Sequence, residues 1–350
     1  MWTSKCLGIC ILELLKVLLR KFLTWNQVTT LQSGNKNMNF KVFYIPLSLS
    51  GLFFFIYILL ASTTNFISVE PGYAVGEISR WCERISDSYF REPANALSNI
   101  GFMLTGLFMF WVLANEKKRK DSRFHGPTIT ALTYASAAVF LGPGSMLMHG
   151  THTAWGQWAD WLSMIMWISI PWLVNIFTIK NWGESLFLKT YLLIVGVYGI
   201  LSWFLGTDLG INFNFWFLSI SLWVITEVLQ SFYSSVMRYL SGFIGILVMS
   251  VFGVFPTEIV EKPDEFWWVI LFWVPALFID QKHQTNKSYF PWYWLGIFFY
   301  LSAFTIWLQG YPEQPLCNPD SLFQPHAMWH LLSACATLSF FFFFRTATNK

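Results

Sequence analysis

The chain has 350 residues, of which 55% are hydrophobic and only 12% carry a charge. Soluble domains usually carry about twice that charged share, so the composition excludes a soluble globular protein. The net charge of +3 is too small to indicate a nucleic-acid partner. The five cysteines include no CxxC pair, which argues against a thiolate zinc site and a disulfide scaffold. The sequence leaves undecided whether Cys82 and Cys317 form a single disulfide bond.

The N-terminal part of the chain differs from the rest. In residues 1–42, Lys16, Arg20 and Lys21 interleave with leucine and isoleucine residues as in an interfacial amphipathic helix, and residues 32–39 form a polar linker. The apolar run 43–62 is long for a signal peptide and ends in a weak cleavage signal, which favours a retained transmembrane anchor. The loop that follows, 63–93, is rich in carboxylates.

Further apolar runs fill most of the remaining sequence. They predict an all-α fold, a polytopic transmembrane helix bundle of about ten spans in total, with the bundle in residues 94–344 and a short tail in 345–350. The segment 266–280 is short for a span. The predicted spans are 43–62, 94–114, 128–149, 157–178, 186–205, 213–233, 238–256, 266–280, 289–309 and 326–344.

The positive charges segregate between the two sides of such a bundle. With ten spans, 18 of the 22 Lys and Arg residues fall on the side that holds both termini. Positive loop residues stay cytoplasmic, so both termini are predicted to be cytoplasmic. The other side holds only Arg80, Arg84, Arg91 and Lys262. Removing one span would reverse every later loop and spoil this segregation.

Three histidines fall at one depth on the non-cytoplasmic side. His326 and His330 are four residues apart at the start of the last span, so their imidazoles share a helix face and can bind one metal ion. His149, at the end of the third span, is the predicted third ligand. Three histidines and one open position are typical of catalytic zinc, and iron or manganese are not excluded. The alternatives are structural histidines or a proton relay, with His152 as a substitute ligand or a supporting group.

Two further polar residues fall at the same depth. Asp160, near the start of the fourth span, is placed to take a proton from an attacking water, or only to orient a histidine. Ser145 lies one helical turn before His149, where its hydroxyl can stabilise a developing oxyanion or bond back to its own helix.

The loop before the second span forms a third polar cluster on the same face. It contains Trp81, Glu83, Asp87 and Glu92. Carboxylates and backbone carbonyls supply the hard oxygen ligands that calcium prefers, so the loop is a candidate calcium site. The alternative is that its carboxylates pair with the three arginines of the same loop.

Four ordered motifs resemble the alkaline ceramidase family, within a superfamily of seven-span membrane hydrolases and receptors. The resemblance covers about residues 80–175 and 320–340. Two features depart from it, because Arg80 stands where the family has an acidic residue and because the chain has extra spans around a seven-span hydrolase-like core. The motifs are Trp81-Cys82-Glu83, Glu92-x-x-Asn95-x-x-Ser98-Asn99, Ser145-x-x-x-His149 with Asp160 eleven residues later, and His326-x-x-x-His330.

The resemblance implies a zinc-dependent hydrolase of a linear amide bond, which cleaves ceramide to a sphingoid base and a fatty acid in sphingolipid metabolism. It implies zinc on His149, His326 and His330, catalytic roles for Ser145 and Asp160, and calcium in the loop. The lipid substrate would enter from the bilayer. The alternatives are a hydrolase of another lipid amide or ester, an adiponectin-receptor-like receptor, and a proton-coupled transporter.

Overall fold

The computed structural model describes residues 39–63, 74–280 and 285–349, so the predicted amphipathic helix in residues 1–42 lies almost wholly outside the described residues. The described part is mainly helical, with one small antiparallel pair of strands, β1 (Thr285–Asn286) and β2 (Thr348–Asn349). The helices are α1 (Phe40–Thr63), α2 (Pro93–Ser98), α3 (Ile100–Ala114), α4 (Ile129–Thr151), α5 (Ala154–Ile179), α6 (Glu184–Leu205), α7 (Phe215–Ser231), α8 (Ser235–Val251), α9 (Pro256–Glu261), α10 (Pro263–Phe266), a 3₁₀ helix (Trp267–Trp273), α11 (Val274–Phe278), α12 (Trp292–Leu308) and α13 (Pro325–Arg345).

The long helices have the length and composition of membrane spans. Within the described residues, six are long and apolar enough to cross a bilayer: α1, the joined α2 and α3, α4, α5, α6 and α13. Three more apolar helices, α7, α8 and α12, have 17 residues each. At 1.5 Å per residue each is about 26 Å long, a little short of the bilayer core. The predicted all-α bundle class is confirmed, whereas the number of ten spans stays a prediction.

The segment 266–280, predicted as a span, is not one helix. The structure divides this region into α10, the 3₁₀ helix and α11, none longer than seven residues. Pro263 is the first residue of α10, and Pro275 is the second residue of α11. Because proline lacks the N–H needed to continue a helix from the preceding turn, the chain proceeds in short steps here. Trp268 and Phe272 are buried and anchor the segment, which packs against α8.

Helices α4 and α5 pack side by side, and α5 is the most buried of the six long helices. Each begins after a threonine, Thr128 or Thr153, whose hydroxyl accepts a backbone N–H of the first turn. Gly144 permits the close approach, because a Cβ there would lie 2.5 Å from the Ser163 side chain. This packing fixes the C-terminal end of α4 against the N-terminal end of α5.

A buried ion pair lies near the C-terminal ends of α7 and α13. Lys287 Nζ is 2.9 and 3.0 Å from the two carboxylate oxygens of Glu227, and it also donates to Asn175 and Gln230. Tyr289 donates to the same carboxylate at 2.7 Å. The side chains of Lys287 and Glu227 are only 6% and 5% exposed. Because both charges are fully partnered, loss of one would leave the other buried without compensation.

The loop between α1 and α2, described from residue 74, is tied to the segment that precedes α13. Cys82 and Cys317 form a disulfide with their Cα atoms 5.6 Å apart. The Arg84 guanidinium donates to both carboxylate oxygens of Asp320, at 2.6 and 2.9 Å. The bridge that the sequence left open is therefore present, and it holds the loop beside the start of α13.

Candidate metal centre

Three histidine side chains meet at one end of the bundle. One ring nitrogen from each of His149, His326 and His330 lies within 4.8 Å of the other two. The Nε2 atoms of His149 and His326 are 3.0 Å apart. All three side chains are buried. Among the described residues, no other group of three or more His, Cys, Asp or Glu side chains converges in this way. The predicted ligands therefore form one cluster that can hold a metal ion.

The ends of two helices bring these histidines together. His149 lies in the last turn of α4, which ends at His152 in a left-handed conformation with a φ of 52°. Such a conformation often ends a helix, although usually at glycine. Pro325 begins α13, where its missing N–H would have no helical partner. His326 and His330 consequently lie on successive turns of one face, opposite His149.

Two of the histidines are oriented by hydrogen bonds. Glu92 Oε2 lies 2.7 Å from Nδ1 of His149, which leaves Nε2 of this ring directed at the cluster. Nδ1 of His330 lies 2.8 Å from Ser98 Oγ and 3.1 Å from the Asn95 carbonyl oxygen. Metal-binding histidines are commonly held through the second ring nitrogen in this manner.

The third histidine is oriented by ring stacking. The centroids of the Trp81 and His326 rings are 4.3 Å apart, with an angle of 24° between the planes. Nδ1 of His326 has no hydrogen-bond partner among the described residues. The indole of Trp81 is therefore the contact that best explains the orientation of this imidazole.

Glu92 links the cluster to the end of α4. Its Oε1 lies 2.7 Å from Nε2 of His152, and its Oε2 contacts both His149 and the side-chain amide of Asn95. Burial acts to raise the pKa of Glu92, but the contacts with the two histidines outweigh burial and hold this pKa below its usual range. The carboxylate therefore stays ionised. His152 is thus a supporting residue in this arrangement, one of the two roles predicted for it.

The cluster suits a divalent transition metal. When two nitrogens bind one zinc ion tetrahedrally at about 2.0–2.1 Å, they lie about 3.3 Å apart. The separation of 3.0 Å between the Nε2 atoms of His149 and His326 is close to this value. Three imidazoles supply three of four tetrahedral positions and leave one for a substrate or water. The donor set therefore fits a catalytic metal site.

Ser145 and Asp160 lie beside the histidines. Ser145 Oγ is 3.4 Å from Nε2 of His330, and the Asp160 carboxylate interacts with the Ser145 hydroxyl and with His149. Both side chains line the same cavity as the histidines. The two residues predicted to be catalytic thus come to the cluster from the adjacent helices α4 and α5.

An apolar cavity of about 380 Å³ adjoins the cluster. This volume lies within the usual range for small-molecule sites, about 300–1,000 Å³. Aromatic side chains of α5, α7, α12 and α13 form much of its wall, and they include Trp161, Trp216, Phe217, Tyr300, Phe304 and Trp329. Such walls suit an apolar chain and keep water away from the polar groups at the histidine end.

The carboxylates predicted to bind calcium do not converge. Both oxygens of Glu83 accept backbone N–H groups at the start of α2, from Ala94 at 2.7 Å and Asn95 at 2.8 Å. The side chain of Asp87 is 85% exposed and pairs with Arg91 at 3.3 Å. Glu83 therefore stabilises a helix terminus, and the exposed Asp87 pairs with the buried Arg91.

The other two predicted calcium ligands, Trp81 and Glu92, act on the histidines instead. Trp81 stacks on His326, and Glu92 holds His149 and His152. The buried carboxylates of the loop thus have nitrogen partners in this arrangement, and with Asp87 they do not meet around one shared position. A cluster of acidic residues in sequence does not reveal which donors each one meets in the fold, and calcium binding by this loop stays a prediction.

Asn95 and Ser98 had no predicted role, yet both hold His330. Their intervals from Glu92, three and six residues, place all three on one face of a helix start. That face is directed at the histidines. The spacing of polar residues on an otherwise apolar helix could have identified Ser98, whereas Asn95 binds His330 through its backbone carbonyl, which leaves no signal in the side-chain pattern.

Comparison with protein-family models matches most of the chain to one family. The family model described as Ceramidase matches residues 77–349, a range that contains the three histidines, Ser145, Asp160 and the loop before α2. Comparison with curated proteins returned no match. Because the family match covers well over half of the 350 residues, the chain belongs to the ceramidase family.

Proposed function

We propose that the protein is a zinc-dependent membrane amidase that hydrolyses the amide bond of ceramide-like lipids to a sphingoid base and a free fatty acid. The observation that carries this proposal is the cluster of His149, His326 and His330 at the end of an apolar cavity, in a chain of the ceramidase family. Zinc is the metal that three imidazoles with one open position suit best.

The residues beside the cluster take the remaining roles. Zinc supplies a Lewis acid and lowers the pKa of water in the site. The Asp160 carboxylate accepts a proton from the attacking water and returns it to the departing amine nitrogen. The Ser145 hydroxyl donates a hydrogen bond to the carbonyl oxygen as negative charge develops there. A C–O bond forms, the C–N bond breaks, and the products are a fatty acid and a primary amine.

The cavity supports a lipid substrate. Its aromatic walls accommodate methylene chains, while its polar groups lie at the end that holds the histidines. A cavity of about 380 Å³ holds only part of a two-chain lipid, so the rest of the chains extends toward the bilayer. A substrate of this kind enters from the membrane rather than from water.

The same end of the bundle is proposed to face away from the cytoplasm, with both termini cytoplasmic. Two observations support this orientation. The Cys82–Cys317 disulfide lies on the loop beside the cluster, and disulfides persist mainly in oxidising compartments. The charge segregation of the sequence puts 18 of 22 basic residues on the other side.

The test is the release of products by purified, zinc-loaded protein in detergent. We expect fatty acid and sphingoid base in equal amounts from ceramide, no release by His326→Ala, and a kcat lowered about 100- to 1,000-fold by Ser145→Ala. His125→Gln, a histidine substitution in the loop between α3 and α4, is the matched control and should keep the activity. Undiminished release by His326→Ala would overturn the proposal, and so would hydrolysis of a lipid ester without hydrolysis of ceramide.

A further inference from the structure

Arg80 contributes a positive charge to the cavity that the amidase reaction does not use. It lines the same cavity as His149, His326 and His330, and among the described residues that line it no other is Lys or Arg. Asp160 is the only carboxylate among those lining residues. Among the described lining residues, this guanidinium is therefore the one permanently cationic group that a ligand in the cavity can meet.

Arg80 lies next to the histidine cluster through Trp81. Arg80 Cζ lies 5.0 Å from the centroid of the Trp81 ring, a distance typical of a cation–π contact. The same indole stacks on the imidazole of His326, with the ring centroids 4.3 Å apart. One aromatic ring therefore contacts both the guanidinium and a candidate metal ligand.

Arg80 has no acidic partner among the described residues, in contrast to the other arginines of the same loop. Arg84 pairs with Asp320, and Arg91 pairs with Asp87, whereas no described carboxylate lies within 4.0 Å of the Arg80 side chain. Arg80 is also exposed. Its five N–H donors are thus available to an anion, and the fork of a guanidinium matches the oxygens of a phosphate.

We propose that Arg80 binds an anionic headgroup of the lipid, so that the preferred substrate is a ceramide-like amide with a phosphate monoester on its headgroup oxygen. This inference rests on the proposed function. In such a lipid the headgroup oxygen and the amide nitrogen are separated by two carbon atoms. An anion on that oxygen therefore lies close to the site of cleavage, and Arg80 lines the same cavity as the three histidines.

The first experiment compares two substrates with identical chains, ceramide 1-phosphate and ceramide, on purified zinc-loaded protein. We expect a higher kcat/KM for the phosphate. Arg80→Gln removes a charge-assisted hydrogen bond to the phosphate and should lower the ratio of the two kcat/KM values about 10- to 100-fold, and Arg80→Glu should lower it further. Arg84→Gln, in the same loop but paired outside the cavity, is the matched control and should keep the ratio.

A second readout needs no turnover and separates this inference from the proposed function. Short-chain ceramide 1-phosphate should raise the Tm of the wild type more than short-chain ceramide does, and Arg80→Gln should remove that difference. A wild-type ratio of one or less, an equal loss on both substrates in Arg80→Gln, or the same rise in Tm with inorganic phosphate alone overturns the headgroup assignment. If the wild type hydrolyses neither lipid while the Tm difference persists, the amidase fails and the anion site stands.

Discussion

Replacement of Glu92 by Gln tests how the metal ligands are held. The Glu92 carboxylate is 1% exposed and accepts hydrogen bonds from both His149 and His152, and also from Asn95. A glutamine at this position offers one oxygen acceptor and one NH₂ donor. At least one of the three contacts would therefore set an N–H group against an N–H group, or require a ring to change its tautomer.

The expected loss follows from this change. Removal of a group that orients a metal-binding histidine typically lowers metal affinity about 10- to 100-fold, or about 1.4 to 2.7 kcal/mol. Because both oxygens of Glu92 accept hydrogen bonds, we expect a loss of zinc affinity near the upper end of this range. Zinc affinity would be measured by competition with a chelator of known zinc affinity, and the kcat of Glu92→Gln should recover at saturating zinc.

Asp87→Asn is the matched control for this experiment. It removes a carboxylate from the same loop, but this side chain is 85% exposed and pairs only with Arg91 among the described residues. Its zinc affinity should equal that of the wild type, and Glu92→Asp should retain more affinity than Glu92→Gln. Wild-type zinc affinity in Glu92→Gln would refute the assignment of Glu92 as the group that orients His149.

Three further predictions concern stability and metal selectivity. Glu227→Ala leaves Lys287 buried without its counter-charge and should lower the free energy of unfolding by about 3–5 kcal/mol. The double variant Glu227→Leu/Lys287→Met should be much closer to the wild type in stability. A loss below about 1 kcal/mol for the single variant would contradict this expectation. Burial and the nearby Arg345 lower the pKa of His125 in the folded chain to about 4. Because the unfolded chain then binds a proton at this histidine more readily than the folded chain does, the free energy of unfolding should fall as the pH drops from about 6.5 toward 4. Thermal unfolding of His125→Gln should lose less Tm over that interval, and an equal loss would count against the shift. Because the carboxylates of the loop already have nitrogen partners, calcium at millimolar concentration should change neither Tm nor activity, and a rise in either with Glu83 intact would restore the calcium hypothesis.

The convergence of the three histidines could be predicted from the sequence because it depends on two regular features. The four-residue spacing of His326 and His330 sets a helix face, and the count of spans sets the membrane side on which His149 ends its helix. The spacing follows the period of a helix, and the membrane side follows from counting the spans along the chain. Small errors in the boundary of a span do not change them.

The roles of Trp81 and Glu92 could not be predicted in the same way. Glu92 and His149 are 57 residues apart, and Trp81 and His326 are separated by most of the bundle. A carboxylate in a loop is chemically equally suited to calcium, to an arginine and to a histidine. Only the packing of the loop against α4 and α13 decides which of these partners it meets.

The segment 266–280 and the disulfide also depend on features that a local sequence pattern does not contain. Hydrophobicity alone identifies an apolar segment but does not distinguish a spanning helix from short helical pieces with Pro263 and Pro275 in their first turns. The pairing of Cys82 with Cys317 joins residues 235 positions apart, so no local pattern could have selected it.

The zinc content of the purified protein tests the central claim most directly. Elemental analysis of the wild type should find about one zinc per chain, as expected for a single three-histidine site. The variant that combines His149→Ala, His326→Ala and His330→Ala should contain almost none, while His125→Gln keeps the wild-type content. A metal-free wild type that does not bind added zinc, or a triple variant that retains one zinc per chain, would contradict the account.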